Sequence, residues 1–311
     1  MGSDVKNNVW HNPVMVEEVK TSLIIDPDGV YIDGTLGGGG HAAAILKSLS
    51  EKALYVGIDR DATAIEHCKK RFSDSTTPVR LFQGKFPMMP EIADRFGIKN
   101  VSGVLLDLGV SSTQINVPER GFSFGSDGPL DMRMDQSEGA PAYELINRLN
   151  EKDLANLIYA YGEERHSRKI ATGIKNASPI MTTGELRSVI EKVIMGNMKT
   201  KSLARVFQAL RIAVNDELTN LIDGLNSSLK VLKKGGRLVV LSYHSLEDRI
   251  VKQFMKEESS DCICPPEIPQ CVCGHTRQLK ILTKHVMKPT DEEIRINPRS
   301  RSAKMRVAER L

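Results

Sequence analysis

Residues 31–46 read YIDGTLGGGGHAAAIL: an apolar run closed by Asp33, four consecutive glycines (Gly37 to Gly40), then an alanine-rich stretch of helical character. Glycine loses more backbone freedom on folding than any other residue, so four in a row are costly. They mark a tight turn, or a place where something approaches the backbone too closely for a side chain. A strand, a Gly-rich turn and a helix start together form an anion-friendly site, because free N–H groups and the helix dipole face outward there. The same alternation recurs downstream. ALYVGID reads as a strand ending at Asp59, DATAIEHCKKRF as a helix, and VRLFQGKF and VSGVLLDLGV as two further apolar strands. Strands alternating with helices predict an α/β fold with a parallel, doubly wound sheet covered on both faces.

The pattern breaks near Gln114. NVPERGFSFGSDGPLDMRM is rich in Gly and Pro and has no clean period, which reads as an ordered loop. Helical spacing follows: Leu154, Leu157, Ile158 and Tyr161; Leu186, Val189, Ile190 and Val193; then Leu203, Val206, Phe207, Leu210 and Val214. Thr182 and Glu185 form a predicted capping box ahead of the second set. The sheet pattern resumes in KKGGRLVVLSYH, a turn and an apolar strand, followed by the helical SLEDRIVKQFMK. LKILT and SAKMRVAER can close the sheet as an antiparallel pair. The expected organisation is therefore residues 1–113 as the first part of an α/β core, 114–214 as a helical insertion, and 215–311 as the second part of the core.

The bulk numbers exclude other classes. Apolar residues make 40% and charged residues 26% of the 311, ordinary values for a globular protein. No apolar run reaches membrane-spanning length, and MGSDVKNNVWHN lacks the apolar centre of a signal peptide. Lys6 stands where a myristoylation signal needs Ser or Thr. A cytoplasmic location is expected. The net charge of +4 is unevenly placed: residues 270–311 carry ten Lys/Arg against four Asp/Glu, so the remainder sums to −2. Such a basic end is either a solvated tail or a phosphate-facing surface.

Gly37, Gly39 and Ala42 satisfy G-x-G-x-x-A, a dinucleotide fingerprint that is weak alone; no Gly-Lys-Ser/Thr follows, which argues against a phosphate loop. The pair of acidic strand ends says more. Asp59 follows Gly39 by twenty residues, where a carboxylate accepts both ribose hydroxyls of an adenosine cofactor. Nicotinamide cofactors and S-adenosyl-L-methionine share that requirement. They differ at the loop: a pyrophosphate wants no carboxylate nearby, whereas the ammonium group of S-adenosylmethionine is attracted by an acidic residue such as Asp33.

On these residues the chain resembles the bacterial ribosomal small-subunit RNA (cytosine-N4)-methyltransferase family of the MraW/RsmH type. The matching stretches, in order, are HNPVMVEEV, DGTLGGGGHA, GIDRD, LLDLGVSSTQ, RGFSF, GPLDMRMD, YGEER, ALRIAVNDEL, VVLSYHSLEDR and NPRSRSAKMRVAER, from residue 11 to residue 310. The resemblance implies a class I (Rossmann-like) S-adenosylmethionine-dependent methyltransferase core with an inserted, all-helical substrate-recognition domain. It implies cofactor contacts at Gly39, Gly40, His41, Asp59, Phe86, Asp107 and Gln114, to which Asp33 is added for the ammonium group. Phe86 is expected to offer an aromatic face beside adenine. The implied reaction is methylation of the exocyclic N4 amine of a cytidine in 16S rRNA of the small ribosomal subunit, near the decoding centre. A homodimer stays open. A nicotinamide-dependent oxidoreductase and a non-catalytic ribosome-assembly factor are the rival readings.

The chemistry demands alignment of amine, methyl carbon and sulfur, plus an acceptor for an amine proton. No covalent cysteine is required. Many amino-methyltransferases carry a Pro-Pro-aromatic motif after the fourth strand, and here that place reads DLGVSS. Asp107 is the first choice for the acceptor and the segment Tyr243, His244, Ser245 the second, with Tyr243 able to stack on a flipped base. RNA binding has two candidate surfaces: Arg299, Arg301, Lys304 and Arg306 near the C-terminus, expected to hold RNA phosphates, and EERHSRK with KTKSLAR of the insertion. Cys262, Cys264, Cys271 and Cys273 cluster in CICPPEIPQCVCG. Paired thiolates in a cytosolic chain point to metal before disulfide, yet C-x-C is tighter than the usual zinc spacing. A zinc site and a reduced, mobile loop both stay open, and no residue is assigned to a metal at this stage. Cys68 reads as a buried, small apolar residue.

Overall fold

In β4 (Val101–Asp107) every residue from Val101 to Leu106 is buried, as expected for a strand covered on both faces. It lies at the middle of a seven-stranded sheet in a computed structural model that describes residues 13–265, 267 and 270–311. The N-terminal MGSDVKNNVWHN, with Gly2, Lys6 and the first two residues of HNPVMVEEV, lies outside the described residues.

The other strands are β1 (Val30–Asp33), β2 (Leu54–Asp59), β3 (Val79–Gln83), β5 (Leu232–Ser242), β6 (Leu279–Ile281) and β7 (Lys304–Arg310). Their order is β3-β2-β1-β4-β5-β7-β6. β1 to β5 pair in parallel, while β7 runs antiparallel to both β5 and β6. The order reverses between β1 and β4, the place where open α/β sheets bind their ligands outside the strands' carboxyl ends. Asp33, Asp59 and Asp107 are the last residues of β1, β2 and β4.

The KKGG segment is not the turn expected from its glycines. It lies within β5, where the register with β4 jumps from Val101↔Leu232 to Gly103↔Arg237. A register irregularity absorbs the extra residues, and Gly235 supplies its left-handed backbone at φ 79°.

The helices are α1 (Val16–Leu23), α2 (Gly40–Leu46), α3 (Ala62–Arg71), α4 (Met89–Arg95), α5 (Ser112–Asn116), α6 (Ala142–Arg148), α7 (Glu151–Gly162), α8 (Ser167–Ala177), α9 (Thr183–Val193), α10 (Lys199–Asn215), α11 (Glu217–Val231), α12 (Ser245–Glu258) and α13 (Asp291–Ile296). None among the described residues is long and apolar enough to cross a membrane.

The chain divides into two compact units, residues 1–109 with 220–311, and residues 110–219. In the first, side chains alternate between the two faces of the sheet. Ile32, Val56, Ile58, Val104, Leu106, Leu238 and Val240 pack into one apolar core, and Tyr31, Tyr55, Leu105, Val239 and Leu241 into the other, following the period of two along a strand. The second unit has its own core, drawn from α6 to α10 and the loop before them, with Leu154, Ile158, Leu186, Ile190, Val206 and Leu210 fully buried. Its α9 begins with the reciprocal Thr182–Glu185 capping box.

Candidate active site

Three carboxylates end neighbouring strands, and each is treated differently. Asp33 is 1% exposed. It accepts the N–H of Thr35 at 3.0 Å and the hydroxyl of Tyr55 at 2.9 Å. Burial pushes its carboxyl above the usual carboxylate range, against the pull of the Thr35 N–H and of His41. A group this enclosed braces the turn after β1. Tyr55 and Thr35 are the residues that sequence reasoning missed; the Thr two places after an Asp was the available signal, since that spacing makes a local side chain–backbone turn.

Asp59 is partly exposed at the end of β2. Its Oδ2 accepts the N–H of Gly37 at 2.7 Å, and its Oδ1 that of Asp61 at 2.8 Å. The carboxylate therefore ties the glycine turn to the start of α3. A carboxylate has about four acceptor positions, so two remain. Burial raises its pKa to about 6, more than the two backbone N–H groups lower it.

The glycines answer to the protein itself. Gly37 and Gly39 have φ of 51° and 72°, where side chains are strained. A Cβ on Gly39 would lie 2.8 Å from the Phe72 ring and 2.9 Å from Cys68 Sγ, and one on Gly40 would press on Pro13. At Gly39 and Gly40 a close approach comes from α3 and the N-terminal segment of the protein itself. Cys68 is buried beneath the turn, as expected, with its thiol pushed up to about 12 chiefly by burial.

Asp107, at the end of β4, is the most connected group. Its Oδ1 accepts the Tyr243 hydroxyl at 2.7 Å, its Oδ2 lies 3.3 Å from His41 Nε2, and its backbone N–H donates to Thr35 Oγ1 at 2.6 Å. Burial alone would depress the His41 imidazolium; Asp107, with Asp33 and Glu293, overrides it and leaves the pKa raised. The Nδ1 of this buried ring has no hydrogen-bond partner among the described residues, and its Nε2 meets Asp107 as an ion-pair approach rather than through a well-formed hydrogen bond. Burial and then Asp107 hold the Tyr243 hydroxyl protonated, well above its usual range. The Tyr243 ring rests where a Cβ on Gly109 would come within 3.2 Å.

Other expected site residues fare less well. His244 is the N-cap of α12, its ring within 3.1 Å of Glu247 Oε1 in a reciprocal capping box, which gives it a structural task. Phe86 opens a short 3-10 turn, with its Cβ against Gly34 and its ring edge lodged on Gly224; Ser227 clamps the same turn through the Pro87 carbonyl at 2.8 Å. The ring is a packing element at that edge, which narrows the face expected beside adenine. Gln114 belongs to the second unit, where its Oε1 accepts the Ser111 N–H at 3.0 Å. Lys304 and Arg306 both bind Asp248 of α12, at 3.0 and 2.8 Å, so of the basic quartet only Arg299 and Arg301 stand exposed.

The sheet order, with an antiparallel β7 between β5 and β6 and acidic residues closing β1, β2 and β4, defines a class I S-adenosylmethionine-dependent methyltransferase. The sequence pattern of the MraW methylase family matches residues 8–311, and the chain belongs to that family. It is 46% identical over 307 residues to ribosomal RNA small subunit methyltransferase H of Halothermothrix orenii, covering 97% of this chain and 98% of that protein. The protein of the same name from Clostridioides difficile is 43% identical over 307 residues, covering 97% and 99%. Among solved structures, an rRNA methylase from Streptococcus thermophilus aligns over 95% of this chain and 93% of its own, with 11% identity and a TM-score of 0.42. The residues present suit the cofactor. Asp59 keeps acceptors free for a ribose diol, the unpartnered His41 Nδ1 is left for a polar group, and Gly37 and Gly39 hold the turn open.

Proposed function

We propose that this chain methylates the exocyclic N4 amine of a cytidine in 16S rRNA of the small ribosomal subunit, near the decoding centre. The names of its relatives support the substrate class, and the Asp107 cluster supports the amine as target. Bound S-adenosylmethionine supplies an electrophilic methyl group on a sulfonium, an excellent leaving group. The protein's own task is alignment and proton management. An exocyclic amine is a poor nucleophile because its lone pair is conjugated with the ring. Asp107 holds one amine proton and so favours the tetrahedral, nucleophilic nitrogen. Tyr243 and His41 fix the two carboxylate oxygens, and Thr35 fixes the backbone beneath them. Asp59 holds the ribose hydroxyls. Arg299 and Arg301, with the basic segments of the helical unit, hold phosphates and position the RNA. The family leaves no place for the nicotinamide reading.

The carrying observation is the Asp107 carboxylate, gripped from both sides at a strand end. Its test is single-turnover methyl transfer to small subunits that lack the modification, at saturating cofactor, with the product nucleotide mapped. Wild-type enzyme should yield N4-methylcytidine. Asp107→Asn should be slower by a factor of about a hundred, with cofactor affinity changed far less. Methylation at another atom would refute the N4 reading. A near-normal rate for Asp107→Asn would remove that residue from the acceptor role, and no turnover by the wild type would favour an assembly factor.

A further inference from the structure

Between α12 and β6 the chain leaves the sheet and returns through a loop closed at its base. Gln278 donates its backbone N–H to the Glu258 carbonyl at 2.8 Å and its side-chain amide to Glu258 Oε2 at 2.9 Å. None of the described residues from 259 to 277 is buried, and Ile263 and Val272 are 49% and 74% exposed. An apolar core does not hold this loop. Its four cysteines do converge. The Sγ atoms of Cys262, Cys264, Cys271 and Cys273 all lie within 4.8 Å of one another. Cys271 and Cys273 are 3.6 Å apart and Cys273 and Cys262 3.9 Å, and all four are free thiols.

Those separations have a chemical meaning. Four thiolates around one tetrahedral zinc, at Zn–S distances of about 2.3 Å, stand about 3.8 Å from each other. Disulfide sulfurs would be about 2 Å apart, and thiolates on the separate irons of a cluster would be spread wider than these. The tight C-x-C spacing is no obstacle, since Cys271 and Cys273 already turn to the same side. Backbone N–H groups face the sulfurs, from Cys264 to Cys262 Sγ and from Val272 to Cys264 Sγ, each at 3.4 Å. Such outer bonds orient thiolate ligands around a metal.

We propose that Cys262, Cys264, Cys271 and Cys273 form a structural zinc site that staples the loop between α12 and β6. The metal takes the place of a core that the loop does not have. It thereby fixes the entry to β6, the three-residue edge strand whose partner is β7. A site with four protein ligands is closed, so its role is structural and separate from the methyl-transfer chemistry.

The test uses the full-length chain, produced without a metal-binding tag and kept reduced. Elemental analysis of the purified protein should give one zinc per chain. After chelation, titration with Co2+ should develop the intense visible and thiolate charge-transfer bands of tetrahedral cobalt, reach an endpoint at one equivalent, and lose them on adding Zn2+. Limited trypsin digestion should cut the loop at Arg277 faster in the chelated protein than in the zinc-loaded one. The double variant Cys262→Ser/Cys273→Ser should lose the cobalt spectrum, and Cys68→Ser should keep it. Substoichiometric zinc with no cobalt spectrum in the reduced wild type would overturn the proposal, as would iron in place of zinc or an unchanged spectrum in the double variant. Because the wild-type titration needs no variant, misfolding of the double mutant cannot rescue or sink it.

Discussion

On the proposed reading, Asp59 serves the fold and the ligand at once. It clasps the glycine turn through Gly37 N–H and the start of α3 through Asp61 N–H, and burial holds its pKa near about 6 against an ordinary 3.8. The sign follows from linkage. A carboxyl raised in the fold keeps its proton where the unfolded chain has lost it, so its contribution to stability declines as the pH climbs from about 4 to about 6. Hydroxyl donors of a ribose want the ionised form. S-adenosylhomocysteine should therefore bind about tenfold more weakly at pH 5 than at pH 7, and calorimetry across that range reads it. Asp59→Ala should lose about 1–3 kcal/mol of binding and flatten the profile. A flat wild-type profile would exclude Asp59 from the ribose contact. The acidic strand end and its spacing from the glycines were visible in the sequence, because chain-local distance fixes where β2 must stop. The brace from Tyr55 to Asp33 was not, since its partners are twenty-two residues apart and nothing in either segment names the other.

At the scale of elements, periodicity told most of the story. Strand runs and helical stripes are repeated by the two sheet-face cores and the helical core. What it could not tell was which cations a neighbouring element would claim. Lys304 and Arg306 look like half of a basic patch in NPRSRSAKMRVAER, yet β7 delivers both to Asp248 on α12, fifty-six and fifty-eight residues away. Burial would raise the Asp248 carboxyl, but Arg306 and Lys304 hold it below the usual range. A depressed carboxyl stabilises the fold above its unfolded pKa and loses that contribution as the pH falls below about 4. Asp248→Ala leaves two cations facing each other at the sheet. It should cost about 1–3 kcal/mol in a denaturant titration, with the methyl-transfer rate of the folded fraction little changed. Charge reversal at Arg301 should do the opposite: an unchanged denaturation midpoint, weaker small-subunit binding, and a shallower dependence of that binding on salt. If both variants moved stability and neither moved binding, the C-terminal segment would be a structural element only.

At the scale of the molecule, the two units rest on separate apolar cores, and the segment 110–219 is a single excursion from the sheet. Such an arrangement lets the helical segment change without disturbing the cofactor turn, because each core satisfies its own packing. It also yields a spatial expectation for ligand-induced protection. The groups fitted to the cofactor lie at the carboxyl end of β2, in the glycine turn and at the start of α2. Hydrogen exchange with S-adenosylhomocysteine bound should slow in residues 33–41, 59–63 and 107–109. The amides of α7 to α10, already closed by their own core, should exchange at the same rate with and without ligand. Protection running through α7 to α10 would mean that the cofactor orders the helical unit as a whole, and the two cores would then have to be treated as one cooperative system.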